Sequence, residues 1–285
     1  MERTIGNPIS WLAKSLGLTG AHVSASVDHL GSDKIASMPK VLQLDFADLR
    51  AALRAGWHDF GACRSDAIAL VFLYPLIGIA LVVLSLSMNL LPLIFPLILG
   101  FSLIGPVAAV GLYEMSARRE AGFTPSWMDA FSVLRSPAFL SILALGIYLA
   151  ALAVLWLMIA AAIYNRTLGP EAPQSFAVFA QDIFMTAPGW AMLLIGGAVG
   201  GLFAFVALAV SLVSFPLLLD RHVGLPIAVA TSLRVVRQNT VVTLTWGAIV
   251  ALSLLLAAIP MFAGMIIVVP VLGHATWHLY RRAVA

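Results

Sequence analysis

At 285 residues, 61% apolar and only 10% charged, with a mean hydropathy of +1.01, the chain is too apolar for a soluble domain and reads as an integral membrane protein. Its net charge of +3 is spread over four separate pieces, which argues against nucleic acid as a partner and for membrane lipids, anionic headgroups included. The single cysteine, Cys63, excludes an intramolecular disulfide and any zinc or iron–sulfur framework built on thiolates.

Residues 1–44 mix Gly, Ser, Asp and Lys, punctuated by Pro8, Gly17, Gly20, Gly31 and Pro39. They predict a mobile cytoplasmic tail with one short surface helix at 9–16. No long apolar core precedes a small-residue cleavage site, so a removable signal peptide is not expected. From Asp45 onward the chain reads as one membrane domain, 45–285. Phe46, Leu49, Leu53 and Trp57 fall at helical spacing, with Asp48, Arg50 and Arg54 on other faces, and predict an amphipathic helix at the cytoplasmic interface.

Apolar runs of roughly 20 residues, the length needed to cross a bilayer, follow at 67–88, 91–115, 138–163, 188–219, 240–259 and 261–280. Comparable interfacial pieces precede the later hairpins: Trp127, Phe131 and Leu134 before the third run, Ile227, Thr231, Leu233 and Val236 before the fifth. Each piece holds a Leu-Arg pair, and each return helix reaches a proline late, at Pro106, Pro216 and Pro270, which with Gly105 are the expected helix breaks. The fold class expected is therefore all-α, with six transmembrane helices as three hairpins, each preceded by a cytoplasmic interfacial helix. A threefold repeat over 45–119, 125–221 and 225–282 would explain the recurrences; chance recurrence in a hairpin protein is the plainer alternative.

Of the sixteen Lys and Arg residues only Arg166 lies in the connections assigned to the outside, so the positive-inside bias puts both termini in the cytoplasm. The outer connection at 165–187, with Pro170, Pro173, Phe176, Phe179 and Phe184, predicts a short helix against the outer leaflet. The fourth run is longer than a bilayer requires. Gly196-Gly197 and Gly200-Gly201 are its expected bend, and they form two overlapping small-xxx-small patterns suited to close helix packing.

Polar residues gather at the cytoplasmic exits. Glu114, Arg118, Arg119, Asp220, Arg221, His274 and His278 are candidates for a site that binds a ligand or partner, weighed against ordinary ion pairing at a bilayer boundary. His274 and His278 share a helix face, so they could hold a metal or haem with help from His58, His222 or Glu114. Interfacial hydrogen bonding is the commoner use of such histidines, and no cofactor is expected. Gly105-Pro106, and Pro270 with Gly273, resemble the broken helices of transporters. The cores of all six runs nevertheless lack Asp, Glu, Lys and Arg, which disfavours coupled ion transport and leaves an apolar solute. Phosphate loops, nucleophile elbows and zinc-protease motifs are missing, so no catalytic residue is expected.

Four stretches carry a family resemblance: Asp48-Leu-Arg-Ala-Ala-Leu-Arg-Ala-Gly-Trp-His-Asp-Phe60, Gly105-Pro106 with Gly111-Leu-Tyr-Glu-Met-Ser-Ala-Arg-Arg-Glu-Ala-Gly122, Ser214-Phe-Pro-Leu-Leu-Leu-Asp-Arg221 and Gly273-His-Ala-Thr-Trp-His-Leu-Tyr-Arg281. Over roughly 45–284 the chain resembles the bacterial domain-of-unknown-function family 2189. The resemblance implies a multi-span protein of a bacterial inner membrane and supplies no catalytic residues. The leading functional expectation is a non-enzymatic scaffold or accessory subunit that binds a partner protein, lipid headgroup or small ligand at its cytoplasmic face, with a homo-oligomer as one such partnership. The alternatives are a transporter or channel for an apolar or weakly polar solute, and a haem or metal protein using His274 and His278.

Overall fold

A computed structural model describes residues 38–87, 90–221 and 223–285. The expected tail helix at 9–16 and the candidate ligand His222 lie outside the described residues. Within them the chain is helical, apart from an isolated antiparallel bridge between Val41 and Val284.

The first helix, α1 (Phe46–Ala62), opens on a reciprocal cap in which Asp45 accepts from the Asp48 backbone and Asp48 accepts from that of Asp45. Its buried stripe is Leu49, Ala52, Gly56, Asp59 and Phe60. That stripe differs from the expected apolar face: Phe46 and Trp57 point outward, and Trp57 is 60% exposed. The chain just before α1 is held as well. Leu44 donates its N–H to Asn239 Oδ1 (2.7 Å), Asn239 Nδ2 donates to the Leu42 carbonyl (3.0 Å), and Ala285 N–H bonds the Lys40 carbonyl (3.0 Å). Packing contacts thus reach back before Asp45, to the strand-like pairing of Val41 with Val284.

Five helical runs are long and apolar enough to cross a membrane: Arg64–Ser87, Leu91–Glu120, Phe139–Thr167, Ala187–Asp220 and Thr240–Ala258. The first is α2 (Arg64–Val71) and α3 (Leu73–Ser87), stepping at Phe72, where Pro75 offers no N–H to the Val71 carbonyl. A short 3₁₀ turn at Leu91–Leu93 leads into α4 (Ile94–Ala108) and α5 (Val110–Glu120). A 3₁₀ helix over Trp127–Arg135 precedes α6 (Phe139–Thr167), whose buried face recurs at helical spacing through Ile142, Leu145, Leu149, Ala153, Trp156 and Ala160. The Trp156 indole N–H donates to the Pro96 carbonyl at 2.9 Å, so this large ring is buried with its polar atom satisfied.

The short helix expected in the 165–187 connection is present as α7 (Phe176–Met185), with Ser175 as its N-cap. It is followed by α8 (Ala187–Ser211) and α9 (Ser214–Asp220). The step in this fourth run falls at Leu212–Val213, not at the glycines, because Pro216 leaves the Leu212 carbonyl without its helical donor. Ser232 on α10 (Leu225–Gln238) spans the break: its hydroxyl accepts from Val213 N–H (3.2 Å) and donates to the Ala209 carbonyl (2.7 Å). Close glycine packing is likewise narrower than expected. A Cβ on Gly200 would meet the Trp156 ring at 3.0 Å, whereas Gly196, Gly197 and Gly201 have nothing within 4 Å. Gly105-Pro106 also sits inside continuous helix, with the interruption deferred to Ala109.

After α11 (Thr240–Ala258) a tight turn holds Met261 and Phe262 at positive φ, 50° and 63°. The Phe262 ring is fixed against Gly78, where a Cβ would come within 2.7 Å. The last helix, α12 (Met265–Ala283), occupies the run expected as a sixth span. His274, His278, Arg281 and Arg282 make it too polar to count as a span on length and composition. It is instead among the most buried elements, and α1 lies along it so closely that a Cβ at Gly56 would stand 2.6 Å from Ala275 N and Val271 O.

Candidate functional site

The end of the bundle where Val41 meets Val284 collects the polar residues, and α12 organises them with α5. Asp59 of α1 is 5% exposed. Its Oδ1 accepts from Arg119 Nε at 3.0 Å, and its Oδ2 accepts from Ser116 Oγ and from His278 Nε2, each at 2.8 Å. Burial pushes this carboxyl up, but the hydrogen bonds from His278 and Ser116, reinforced by the facing imidazoles, outweigh it and hold the group below the usual carboxylate range.

A carboxylate can only accept, so the Ser116 proton is committed to Asp59. The 2.8 Å contact between Ser116 Oγ and His274 Nδ1 then requires a proton on Nδ1. The result is a directed chain, His274 to Ser116 to Asp59, with fully buried His274 keeping Nε2 unpartnered among the described residues. Arg119 Nη2 extends the network to His58 Nδ1 at 3.1 Å.

The other sequence candidates fall into two further groups. Glu114 accepts from Arg118 Nε (2.7 Å) and Ser132 Oγ (3.0 Å), while Arg118 Nη1 reaches Asp129 (2.8 Å). Asp220 accepts from the Tyr280 hydroxyl and from Arg281 Nη1 (3.3 Å), with Arg221 Nε at 3.7 Å. Glu120 joins this group by accepting from Trp277 Nε1 (3.0 Å) and Arg281 Nε (3.1 Å). All seven predicted polar residues therefore lie at one end, but in three separate knots that tie helices together. Sequence reasoning missed Asp59, Ser116, Glu120 and Tyr280. Asp59 had a signal, since it continues the Leu49, Ala52, Gly56 stripe at helical spacing. Among the described residues no group of three or more His, Cys, Asp and Glu is disposed to hold a metal ion.

A different feature lies deeper. The helix pairs α4–α5 and α8 diverge from α11 and α12 around a cavity of about 550 Å³, lined by Gly105, Pro106, Gly201, Gly247 and Gly273 among apolar side chains. No charged residue lines it. Phe205, Leu244 and Leu255 belong to the wall and are among the exposed apolar residues. The two sides of α12 serve different parts of the molecule: Val269, Leu272, Gly273 and Thr276 line the cavity, and His274 and His278 hold the network around Asp59.

A helical bundle whose outer surface is apolar along five long helices, and whose polar groups are tied together at one end, is an all-α integral membrane protein of several spans. Residues 93–220 match the family model described as "Predicted integral membrane protein (DUF2189)", the family that the sequence resembles. The matched stretch contains Gly105-Pro106, Glu114, Ser116, Arg118, Arg119 and Asp220 and leaves α1 and α12 outside. No curated protein and no solved structure matches the chain.

Proposed function

We propose that the protein is a non-enzymatic, six-crossing protein of a bacterial inner membrane that takes up an apolar or weakly polar solute between its helices, as a carrier or binding protein. The observation that carries this reading is the uncharged cavity of about 550 Å³, well within the roughly 300–1,000 Å³ of small-molecule sites. Its walls include Gly105-Pro106 and residues Val269, Leu272 and Gly273 around Pro270, and both prolines, expected as helix breaks, are held inside continuous helix. Binding is tested by filling the space. A Cβ on Gly201 meets nothing within 4 Å, so Gly201→Leu is expected to fold normally and to lose hexadecane adducts in native mass spectrometry by about tenfold or more. Undiminished hexadecane binding by that variant would overturn the reading.

Six crossings are supported by parity. The Val41–Val284 bridge sets the two ends of the membrane domain side by side, so the chain between them crosses an even number of times, and α12 supplies the return after the five apolar spans. Basic residues at this end argue that it is cytoplasmic. Green fluorescent protein fused at either terminus is then expected to fluoresce, while alkaline phosphatase fused after Ala285 stays inactive; a phosphatase active after Ala285 together with fluorescence at the N-terminus sinks the sixth crossing. A scaffold or accessory subunit met by a partner at the same end is the second reading, and it draws support from exposed Phe123, Trp127, Met128 and Phe131 beside the Arg118–Asp129 pair.

A further inference from the structure

The outer face of α1 carries cations that the polar knots leave unused. The helix buries Leu49, Ala52, Gly56, Asp59 and Phe60. At about 100° of rotation per residue, Phe46, Arg50, Arg54 and Trp57 fall together on a separate face, within an arc of about 80°. Arg50 and Arg54 are exposed. The carboxylates inside the helix are taken elsewhere, Asp48 by Arg282 at 3.0 Å and Asp59 by Arg119, Ser116 and His278, so neither arginine has a carboxylate partner among the described residues. Two like charges four residues apart on one helix face repel each other, and an anion laid across both relieves that repulsion.

The flanking rings indicate which kind of anion. Phe46 and Trp57 are 54% and 60% exposed and bracket the arginine pair. The Trp57 ring leans on buried Phe60 with centroids 6.0 Å apart, which holds it at the helix surface. Exposed aromatic rings beside basic side chains suit the membrane–water boundary, where the rings meet the glycerol level and the cations meet lipid phosphates. The packing of α1 puts its outer face near that boundary. Gly56 lies against Val271 and Ala275, on either side of Gly273 in the wall of the apolar cavity, so the middle of α1 stands level with part of that wall. The first apolar span then begins at Arg64, just after α1 ends at Ala62.

We infer that the Phe46, Arg50, Arg54 and Trp57 stripe docks the headgroup of an anionic phospholipid, with its phosphate between the two guanidinium groups and its glycerol against Trp57. A zwitterionic headgroup fits less well, because it brings a cation of its own to the arginine pair. An acidic protein segment is the competing occupant, and the start of the first span beside the stripe favours lipid. This surface is independent of the cavity and of what the cavity holds.

The test uses the full chain in detergent and native mass spectrometry, with dioleoyl phosphatidylglycerol and dioleoyl phosphatidylcholine as probes that share acyl chains and differ in headgroup charge. Wild type is expected to prefer phosphatidylglycerol about tenfold, the scale of a pair of surface arginines acting on an anionic lipid. The double variant Arg50→Gln/Arg54→Gln is expected to lose most of that preference and to bind phosphatidylcholine as wild type does. Arg50→Lys/Arg54→Lys, which keeps both charges, is expected to retain most of the preference, and Arg166→Gln, in the connection assigned to the outside, to retain all of it. Because both α1 side chains are exposed, the double variants are expected to melt with wild type. A glutamine pair that keeps the wild-type preference, or a wild type that shows none, overturns the assignment. A decaglutamate peptide that binds wild type but not the glutamine pair, while the lipid preference of the two is equal, also overturns it and gives the stripe to an acidic protein segment.

Discussion

Replacing Asp59 by alanine is expected to lower the stability of the purified protein by about 3 kcal/mol, the scale for removing one partner of a buried charged network. The loss has identifiable parts. Arg119 and His278 lose their acceptor, Ser116 loses the group that fixes its proton, and His274 then sits fully buried beside a hydroxyl free to rotate. Arg119 and His278 keep some contact with solvent, with side chains 26% and 22% exposed, which places the effect at the lower end of the range for buried pairs. Asp59→Asn is expected to fall between wild type and alanine, because an amide still offers Ser116 an acceptor while giving up the charge. Thermal unfolding in detergent, followed by size-exclusion fluorescence, measures this; an alanine variant that melts with wild type would reduce the network to decoration.

The same carboxyl makes a pH prediction with a definite sign. Its folded pKa lies below the ordinary value, so protonation favours the unfolded chain. The contribution is complete above about pH 4, the unfolded value, and is lost as the pH falls through the folded value. Wild type is therefore expected to lose stability in acid more steeply than Asp59→Asn, and the difference between the two vanishes at the acid end.

How much of this could be read from the chain follows from the range of the interactions involved. Five of the membrane runs and the short helix α7 are legible because apolarity and helical period are local properties of a stretch. The polar end was legible as a region, since each exit helix carries its own Arg, Glu, Asp or His. The pairings were not. Asp59 meets Ser116 across 57 residues and His278 across 219, and nothing local to Asp59 names either partner. The bend of the fourth run had two markers in the sequence: four glycines, which only permit a bend, and Pro216, which enforces one by withholding an N–H. The cavity was least visible of all, because it is a volume left where helices diverge, marked in sequence only by scattered glycines.

Gly56→Ala is expected to be among the more damaging single methyl additions in the described residues, costing about 3 kcal/mol and lowering the melting temperature by on the order of 5–10 °C. Most close approaches to a glycine here involve something that can give way. At Gly273 the nearest obstacle is Leu112 Cδ1, the end of a flexible side chain. At Gly56 the obstacles are Ala275 N and Val271 O, both at 2.6 Å, with Ala275 Cβ at 2.7 Å. These are backbone atoms within α12 and the Cβ rigidly attached to it, so relief requires the whole of α1 to move away from α12. Asp59 lies three residues along the same stripe, so that movement also lengthens its contacts with Ser116 and His278. The two substitutions should consequently be coupled: once Asp59 is alanine, adding Gly56→Ala is expected to cost less than it does in wild type, because part of what it disturbs has already gone. Gly61→Ala, on the same helix with nothing within 4 Å of its Cβ, serves as the control and is expected to leave the melting temperature unchanged or slightly raised, since alanine favours helix. If Gly56→Ala behaved like that control, α1 would not be packed against α12 as described, and the network around Asp59 would lose its geometric basis.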